Sequence, residues 1–315
     1  MFEKLWTDKY RPNKLNDITG NDEILLRLKL IASTKNLPNM IFSGMSGTGK
    51  TSSAICLVKE IYGNKYSNNV IELNASDDLR KIDVVKRQID IFAKTKKGIK
   101  VVIFDEADSM TKQVQHTLRS IIDKYYTTTR FILICNSLSN IIDTLQSRCM
   151  TVKYSLLTKP EMYKRLLFVI NLENIKYEES GLDAIYFCSK GDMRMALNCL
   201  QTVSINFGYI TGINVYKITD IPHPNRIQKL LDFCINHNII SALNLVQEIY
   251  NNGYSPIDII ETLEKLCTEQ NMTDPYKKIK YIQYIAKTHI RIAQGLTTFN
   301  QITGIISQLC QIESE

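Results

Sequence analysis

One stretch of eight residues, from Gly44 to Thr51, constrains this chain more than any other feature. It fits the pattern GxxxxGK[ST] and stands between an apolar run at 40–42 and a helical pattern that begins near Lys50. Glycines let backbone N–H groups of such a loop turn towards phosphate oxygens, and the following helix adds its dipole. The pattern predicts a nucleoside triphosphate site with these members: Gly44, Met45, Ser46, Gly47, Thr48, Gly49, Lys50 and Thr51.

Apolar runs alternate with helical patterns through the first half of the chain. The runs are continuous and rich in β-branched residues, which is typical of strands buried on both faces of a parallel α/β sheet. Polar residues follow the runs, and ligands bind at that edge of such sheets. The strands are predicted at 40–42, 70–73, 100–104, 130–135 and 151–154.

After about residue 157 the pattern becomes wholly helical. The segment Pro222-His223-Pro224 breaks it, and about five further helical segments follow. The sequence therefore predicts three parts: an α/β nucleotide-binding domain at 1–157, a small helical module at 158–221 and a helical domain at 222–315.

An acidic pair, Asp105-Glu106, ends the third apolar run, and Asn136 ends the fourth. Lys50 is expected to neutralise the β- and γ-phosphates, while Thr51 and Asp105 hold Mg²⁺. A carboxylate next to the metal ligand suits hydrolysis by water, with Glu106 polarising the nucleophile. Asn136 is expected to orient that water.

Cysteine usage and length exclude several classes of protein. The eight cysteines have no CxxC spacing, so free core thiols are expected. No apolar run approaches the roughly 18 residues of a membrane span, and the charged N-terminus does not resemble a secretory signal. We therefore expect no membrane association.

The chain is identified by its motifs as resembling the AAA+ ATPases, and specifically the small subunits of replication factor C, the eukaryotic sliding-clamp loader. Each motif alone is modest, but together they occur in the family's order across the chain. Two stretches, 191–201 and 254–256, look most similar to the subunit numbered four in budding yeast. The matching segments are 6–12, 44–51, 72–78, Phe104 to Asp108, Asn136, Gln146 to Cys149 and Gly191 to Arg194.

The resemblance implies a fold and several residue roles. The fold is α/β: an AAA+ P-loop domain with a parallel five-stranded sheet, a small helical lid and an all-α C-terminal collar. Tyr10, Arg11 and Pro12 would lie against the adenine. Arg148 would act as an arginine finger on a neighbour's ATP, and Arg194 would contact the γ-phosphate from the lid.

Basic residues concentrate in the first half, where residues 1–157 hold 24 lysines and arginines against 16 acidic residues. Such an asymmetry favours a polyanionic partner. Arg80, Lys81 and Arg87 stand at or just before a predicted helix and are expected to bind DNA phosphates without sequence preference.

The sequence thus predicts an ATP- and Mg²⁺-dependent subunit of a heteropentameric clamp loader. It would open a PCNA-type sliding clamp and load it on primer–template DNA, in nuclear DNA replication and repair. Two alternatives stay open: a nucleotide-binding scaffold subunit of the same assembly, or another AAA+ replication ATPase such as an initiator or helicase loader.

Overall fold

The structure, a computed structural model, describes residues 4–75, 89, 91–92, 99–219, 221–269 and 274–312, without the side chain of residue 64. Contacts divide the chain into two compact units, Met1–Thr211 and Gly212–Glu315.

The first unit contains a five-stranded parallel sheet, as predicted. Its strand order is β2-β3-β4-β1-β5, so the strand before the phosphate loop lies between β4 and β5. The strands are β1 (Met40–Ser43), β2 (Val70–Asn74), β3 (Lys100–Asp105), β4 (Thr129–Cys135) and β5 (Met150–Lys153).

Both faces of this sheet are covered, which explains the unbroken apolar runs. Alternate residues of β3 enter different cores: Val102 and Phe104 pack in one cluster, while Val101 and Ile103 pack in the other. Because side chains of a strand alternate between faces, a strand covered on both sides is apolar throughout. The helices of this part are Asp22–Thr34, Lys50–Tyr62, Tyr66–Asn69, Lys112–Lys124 and Asp143–Gln146, together with the short helix Trp6–Lys9, which packs on the helix Met193–Phe207.

Three further helices follow the sheet within the same unit: Lys159–Glu173, Glu179–Ser189 and Met193–Phe207. We call residues 159–210 the helical segment. The first helix starts at a capping box, in which Thr158 and Glu161 satisfy each other's backbone N–H groups.

The expectation of a wholly helical pattern after residue 157 is wrong in one place. Lys176–Tyr177 and Tyr209–Ile210 pair as a short parallel two-stranded sheet. Two-residue strands are too short to show a period in the sequence. Gly181 lies against this pair so closely that an added Cβ would be 2.7 Å from Ile210 Cγ2.

The second unit is helical in every described element, and its core is one cluster of buried residues that includes Tyr281 and Ile285. The break predicted at Pro222-His223-Pro224 falls between the helices Gly212–Ile218 and Pro224–Ile235. Among the described residues, no helix has both the length and the apolar character needed to cross a bilayer. The helices are Gly212–Ile218, Pro224–Ile235, Ile239–Asn251, Pro256–Glu269, Pro275–Ala293 and Phe299–Cys310.

All eight cysteines are free thiols, and six of them are buried. Burial raises the pKa of the Cys149 thiol to about 11, which disfavours its nucleophilic thiolate. We therefore interpret Cys149, which directly follows Arg148 in the motif, as a packing residue and not as a nucleophile.

Candidate functional site

The phosphate loop joins β1 to the helix Lys50–Tyr62. Gly44, Gly47 and Gly49 have φ of +151°, +67° and +93°, a region that side-chain-bearing residues rarely adopt. Close contacts add to this requirement, because a Cβ on Gly44 would be 2.5 Å from the Tyr154 carbonyl oxygen. The glycines are therefore needed for the backbone path and for the packing around it.

Lys50 is held at the centre of the loop. Its Nζ donates to the carbonyls of Gly44 at 2.7 Å and Met45 at 2.8 Å, and to Asn136 Oδ1 at 3.1 Å. Only 7% of the residue is exposed. Burial lowers the pKa of this ammonium, and the nearby carboxylate of Asp105 opposes that shift. The hydrogen-bond partners of this buried ammonium are all uncharged, so a negatively charged phosphate oxygen would be a stronger partner for it.

Thr51 and Asp105 meet at the start of the helix and the end of β3. Thr51 Oγ1 donates to Asp105 Oδ2 at 3.0 Å, although the two residues are far apart in sequence. A hydroxyl and a carboxylate are the oxygen donors that Mg²⁺ prefers, so this pair fits the ion. Among the described residues, no group of three or more His, Cys, Asp or Glu side chains forms a separate metal site.

Glu106 follows Asp105 in the left-handed conformation, with φ of +55°. Its backbone N–H donates to Asp105 Oδ1 at 2.9 Å, which fixes the turn. The Glu106 side chain is exposed and lines the same cavity as the phosphate loop. A carboxylate in this position can accept a proton from water that enters beside the phosphates.

Asp108 is a site residue to which sequence reasoning gave no role. Its Oδ2 accepts from the backbone N–H groups of Asn136 at 3.1 Å and Ser137 at 3.3 Å. This carboxylate connects the turn after β3 to the end of β4, and so positions Asn136 opposite Lys50. The sequence did hold a signal for this residue, because Asp108 is the third acidic residue of the motif Phe104 to Asp108. The expected ATP hydrolysis, however, required only the first two acidic residues.

With the exception of Arg148, the catalytic candidates border one cavity of about 460 Å³ in the first unit. Gly44 and Met45 do not line it; their carbonyls hold Lys50 instead. The predicted site residues that line the cavity are Tyr10, Arg11, Pro12, Ser46, Gly47, Thr48, Gly49, Lys50, Thr51, Asp105, Glu106, Asn136 and Arg194.

Arg165 also lines the cavity and was not predicted. It lies on the helix Lys159–Glu173, and its guanidinium donates to the main-chain carbonyls of Tyr10 and, at 3.4 Å, Asp17. Burial lowers the pKa of this guanidinium, and Asp17 opposes that shift. A lone arginine in a helical pattern gave no signal, because its contacts are more than 140 residues away.

The phosphate loop touches the helix that carries Arg194. The backbone N–H of Met193 donates to the Gly47 carbonyl at 3.2 Å. Asp192 caps this helix, with Oδ1 accepting from the Met195 N–H at 3.0 Å, and a Cβ on Gly47 would be 1.8 Å from that oxygen. The helix therefore starts on the loop itself, and Arg194 is exposed beside the cavity.

Arg148 does not line the cavity of its own chain. Its Nε donates to Asp123 Oδ1 at 2.7 Å, and its Nη1 donates to the Thr144 carbonyl at 2.8 Å. The hydrogen bond that the guanidinium donates to Asp123 raises its pKa. The predicted DNA-binding residues Arg80, Lys81 and Arg87 lie outside the described residues.

Two family models match the chain. Residues 40–155 match the ATPase family associated with various cellular activities (AAA), and residues 222–308 match the Replication factor C C-terminal domain. The phosphate loop, the acidic pair and Arg148 all fall within the first match.

Curated relatives match over nearly the full length. Replication factor C subunit 4 of Saccharomyces cerevisiae is 41% identical over 98% of this chain and 97% of its own. The probable replication factor C subunit 2 of Dictyostelium discoideum is 40% identical over 98% of this chain and 92% of its own. Similarity thus extends to relatives named subunit 4 and subunit 2 alike.

A solved structure shares the fold at low identity. The Thermotoga maritima RuvB Holliday junction branch migration motor has a TM-score of 0.55 and 18% identity, covering 72% of this chain and 79% of that one. At this identity the match concerns the fold alone.

Proposed function

The chain belongs to the replication factor C small-subunit family, and on that basis we propose how this subunit binds and hydrolyses ATP in a clamp loader. It is a nucleotide-binding AAA ATPase, and it is a subunit of a multi-subunit clamp loader. The residue roles, the metal, the clamp and the DNA that follow are our proposal.

ATP occupies the cavity with its phosphates on the loop Gly44–Thr51. Mg²⁺ fits the oxygens of Thr51 and Asp105, and when bound it neutralises charge on the β- and γ-phosphates. The Lys50 ammonium exchanges its carbonyl acceptors for phosphate oxygens, and Arg194 approaches the γ-phosphate from the helical segment. The contact between Gly47 and the helix Met193–Phe207 supports this pairing, because it places loop and helix together.

Hydrolysis requires a water in line with the γ-phosphorus. Glu106 accepts the proton of that water as the water attacks, and the oxygen–phosphorus bond to ADP breaks. Asn136 orients the water, while Asp108 holds the Asn136 backbone in place. Glu106 remains available as the proton acceptor because Thr51 donates its hydrogen bond to Asp105 and not to Glu106.

Arg148 completes a site on an adjoining subunit. A guanidinium supplied in trans can contribute about 10³ to 10⁵ in rate by stabilising transition-state charge. The contact with Asp123, away from the chain's own cavity, supports this role. The rate of ATP hydrolysis at that site would therefore depend on whether the adjoining subunit is in place.

The remaining proposals concern partners and location. We propose a heteropentamer that opens a PCNA-type clamp on primer–template DNA in the nucleus, during replication and repair. Arg80, Lys81 and Arg87 would contact DNA phosphates. The domain ranges 1–157, 158–221 and 222–315 also remain proposals, with the last forming the collar.

One observation carries this mechanism: Lys50, Thr51, Asp105, Glu106 and Asn136 border a single cavity, whereas Arg148 does not. The test compares reconstituted complexes carrying wild-type subunit, Lys50→Ala or Glu106→Gln, measuring ATP hydrolysis and clamp loading. Loading at the normal rate with Lys50→Ala would show that this site is dispensable. Unchanged ATP hydrolysis by the complex with Glu106→Gln would favour the scaffold alternative.

The second alternative, another AAA+ replication ATPase, receives less support. Initiators and helicase loaders are expected to carry a winged helix, which contains strands. Between 212 and 312, the described residues form helices only, and 222–308 match the Replication factor C C-terminal domain.

A further inference from the structure

Tyr10 is held at both ends by one helix of the helical segment. Arg165 Nη2 donates to the Tyr10 main-chain carbonyl, and the Tyr10 hydroxyl donates to the carboxylate of Glu173. The two holding residues are eight positions apart on the helix Lys159–Glu173, so they lie about two turns apart along it. The Lys9 ammonium forms an ion pair with the same carboxylate.

The residues before Tyr10 are attached to the helical segment as well. The Trp6 backbone N–H donates to Gln201 Oε1 at 2.9 Å, on the helix Met193–Phe207. Trp6 is only 3% exposed, and its ring meets the Tyr10 ring edge-on at 6.4 Å. Residues 6–10 are therefore bonded to two helices of that segment.

The residues after Arg11 are attached to a different element. Cys56 Sγ donates to the Pro12 carbonyl at 3.3 Å, and the Leu15 N–H donates to Glu60 Oε1 at 2.8 Å. Both partners lie on the helix Lys50–Tyr62, which begins at the phosphate loop. The segment from 6 to 15, which we call the strap, is thus bonded both to the helical segment and to the helix Lys50–Tyr62.

The strap and the phosphate loop line the same cavity, and Thr7, Asp8, Tyr10, Arg11 and Pro12 are the lining residues that the strap contributes. Because the loop binds the triphosphate in our proposed function, the lining contributed by the strap is left for the nucleoside. The strap therefore contacts the part of the ligand that a phosphate chain alone lacks.

We propose that Arg165 and Glu173 are positioning residues that hold the strap against the nucleoside and couple its position to the helical segment. This inference rests on the proposed nucleotide site. Neither residue needs to touch the ligand: each acts through Tyr10, one at its backbone and one at its hydroxyl. Loss of either contact should loosen the nucleoside end and leave the phosphate end intact.

The test measures binding of ATP and of inorganic tripolyphosphate to the full chain by calorimetry. We expect Tyr10→Phe, Glu173→Gln and Arg165→Met each to weaken ATP binding about three- to tenfold. Tyr10→Phe and Arg165→Met each remove a hydrogen bond that involves a charged group, whereas Glu173→Gln keeps an acceptor but removes its charge and the ion pair with Lys9. Tripolyphosphate binding should stay within about twofold of wild type in this comparison. Arg165→Lys, which keeps a donor, should recover part of the ATP affinity.

The chain offers a matched control, in which Lys159 and Tyr163 of the helix Lys159–Glu173 contact an acid on the helix Glu179–Ser189. Tyr163 and Lys159 contact Asp183 just as Tyr10 and Lys9 contact Glu173, but none of the three lines the cavity. Asp183→Asn should leave ATP affinity unchanged. The single tryptophan, Trp6, supplies a second readout, because its buried emission should shift to the red in Glu173→Gln and not in Asp183→Asn.

Coupling is tested by the double variant Tyr10→Phe/Glu173→Gln, which should bind ATP no more weakly than the weaker single variant. Wild-type ATP affinity in Glu173→Gln, or equal weakening of tripolyphosphate and ATP, would overturn the proposal. Lys50→Ala separates the two levels of inference. If it fails to weaken either ligand, the nucleotide site itself is wrong; if it weakens both while Glu173→Gln changes neither, only the strap proposal fails.

Discussion

Arg148 and Asp123 form an ion pair with Nε and Oδ1 2.7 Å apart, on a part of the chain that does not border its own nucleotide cavity. The pair holds the guanidinium in one place without burying it, since about a third of the Arg148 side chain is exposed. We propose that this fixed charge serves the nucleotide site of another subunit. In that proposal the chain binds nucleotide at one place and offers an arginine at another.

Arg148→Ala should therefore spare the chain's own nucleotide affinity and impair the complex. We expect hydrolysis at the site that receives Arg148 to fall by about 10³ or more. Single-turnover hydrolysis by the reconstituted complex measures the loss, and nucleotide titration of the isolated variant checks its own site. Arg119→Ala is the matched control, because Arg119 meets the same Asp123 at 3.8 Å. Equal rates in wild-type and Arg148→Ala complexes would contradict the role in trans.

Glu106→Gln should separate binding from hydrolysis. The amide keeps the size of the side chain but cannot accept a proton, so hydrolysis should fall by about 10² to 10⁴. Nucleotide affinity should change little, because Lys50 and Thr51 remain. Rapid-quench measurement of hydrolysis, with ATP binding measured in parallel, gives both numbers. A large loss of affinity would mean that Glu106 serves binding instead.

Gly47→Ala should disrupt the contact between the phosphate loop and the helical segment. Any L-residue at this φ costs about 1–2 kcal/mol, and the new Cβ would also overlap the Asp192 carboxylate. Gly208→Ala is the control, with φ of +66° and no atom within 4 Å of an added Cβ. We expect both variants to lower stability in urea titrations, but only Gly47→Ala to weaken ATP binding, by tenfold or more. Similar ATP affinities in both variants would show that strain alone matters.

Nucleotide affinity should decline as pH rises, and the decline should begin below pH 10.5, the ordinary pKa of lysine. Burial lowers the pKa of Lys50, so the folded chain loses this proton before the unfolded chain does. The burial penalty on stability is thus present in full below the folded pKa and is relieved as pH rises through it. Phosphate binding needs the ammonium, so affinity moves the opposite way.

The measurement is the ATP dissociation constant across the alkaline range for wild type and Lys50→Arg. Arginine stays protonated there, so the variant should show a flatter profile. Parallel profiles for the two proteins would assign the pH dependence to another group.

Replacing Arg80, Lys81 and Arg87 together with alanine should weaken DNA binding by the complex and reduce its salt dependence. Each phosphate contact contributes about 0.9 to the slope of log K against log salt, so the slope should fall by up to about 3. Lys94, Lys96 and Lys97, replaced together, remove the same charge from the neighbouring stretch. Equal effects of the two triple variants would mean that net charge, and not these positions, determines binding.

Several features of the fold were predictable because their signals are local. The phosphate loop occupies eight consecutive residues, and each strand appears as an apolar run between helical patterns. The helical pattern predicted to begin near Lys50 forms the helix Lys50–Tyr62. The residue at which such a helix ends is less predictable, because the final turn depends on its cap more than on periodicity.

Contacts across long sequence separations were not predictable in this way. Arg165 gave no signal because its acceptors, Tyr10 and Asp17, are on a segment near the start of the chain. The paired strands at 176–177 and 209–210 were missed because two residues show no period. Asp108 belonged to a motif, but its carboxylate accepts from two backbone N–H groups just after β4, a contact that the motif does not reveal.

The sequence by itself determined the α/β architecture, the phosphate loop and the order of the polar residues that follow the strands. Hydrophobic periodicity and the chemistry of Lys50, Thr51, Asp105 and Glu106 are local properties, which are present before the chain folds. Only the tertiary structure decided that Thr51 bonds to Asp105, that Arg148 bonds to Asp123 without lining the chain's own cavity, and that Tyr10 is fixed to the helix Lys159–Glu173. These contacts depend on how sheet and helices pack, because a hydrogen bond forms only between groups that packing brings within about 3 Å.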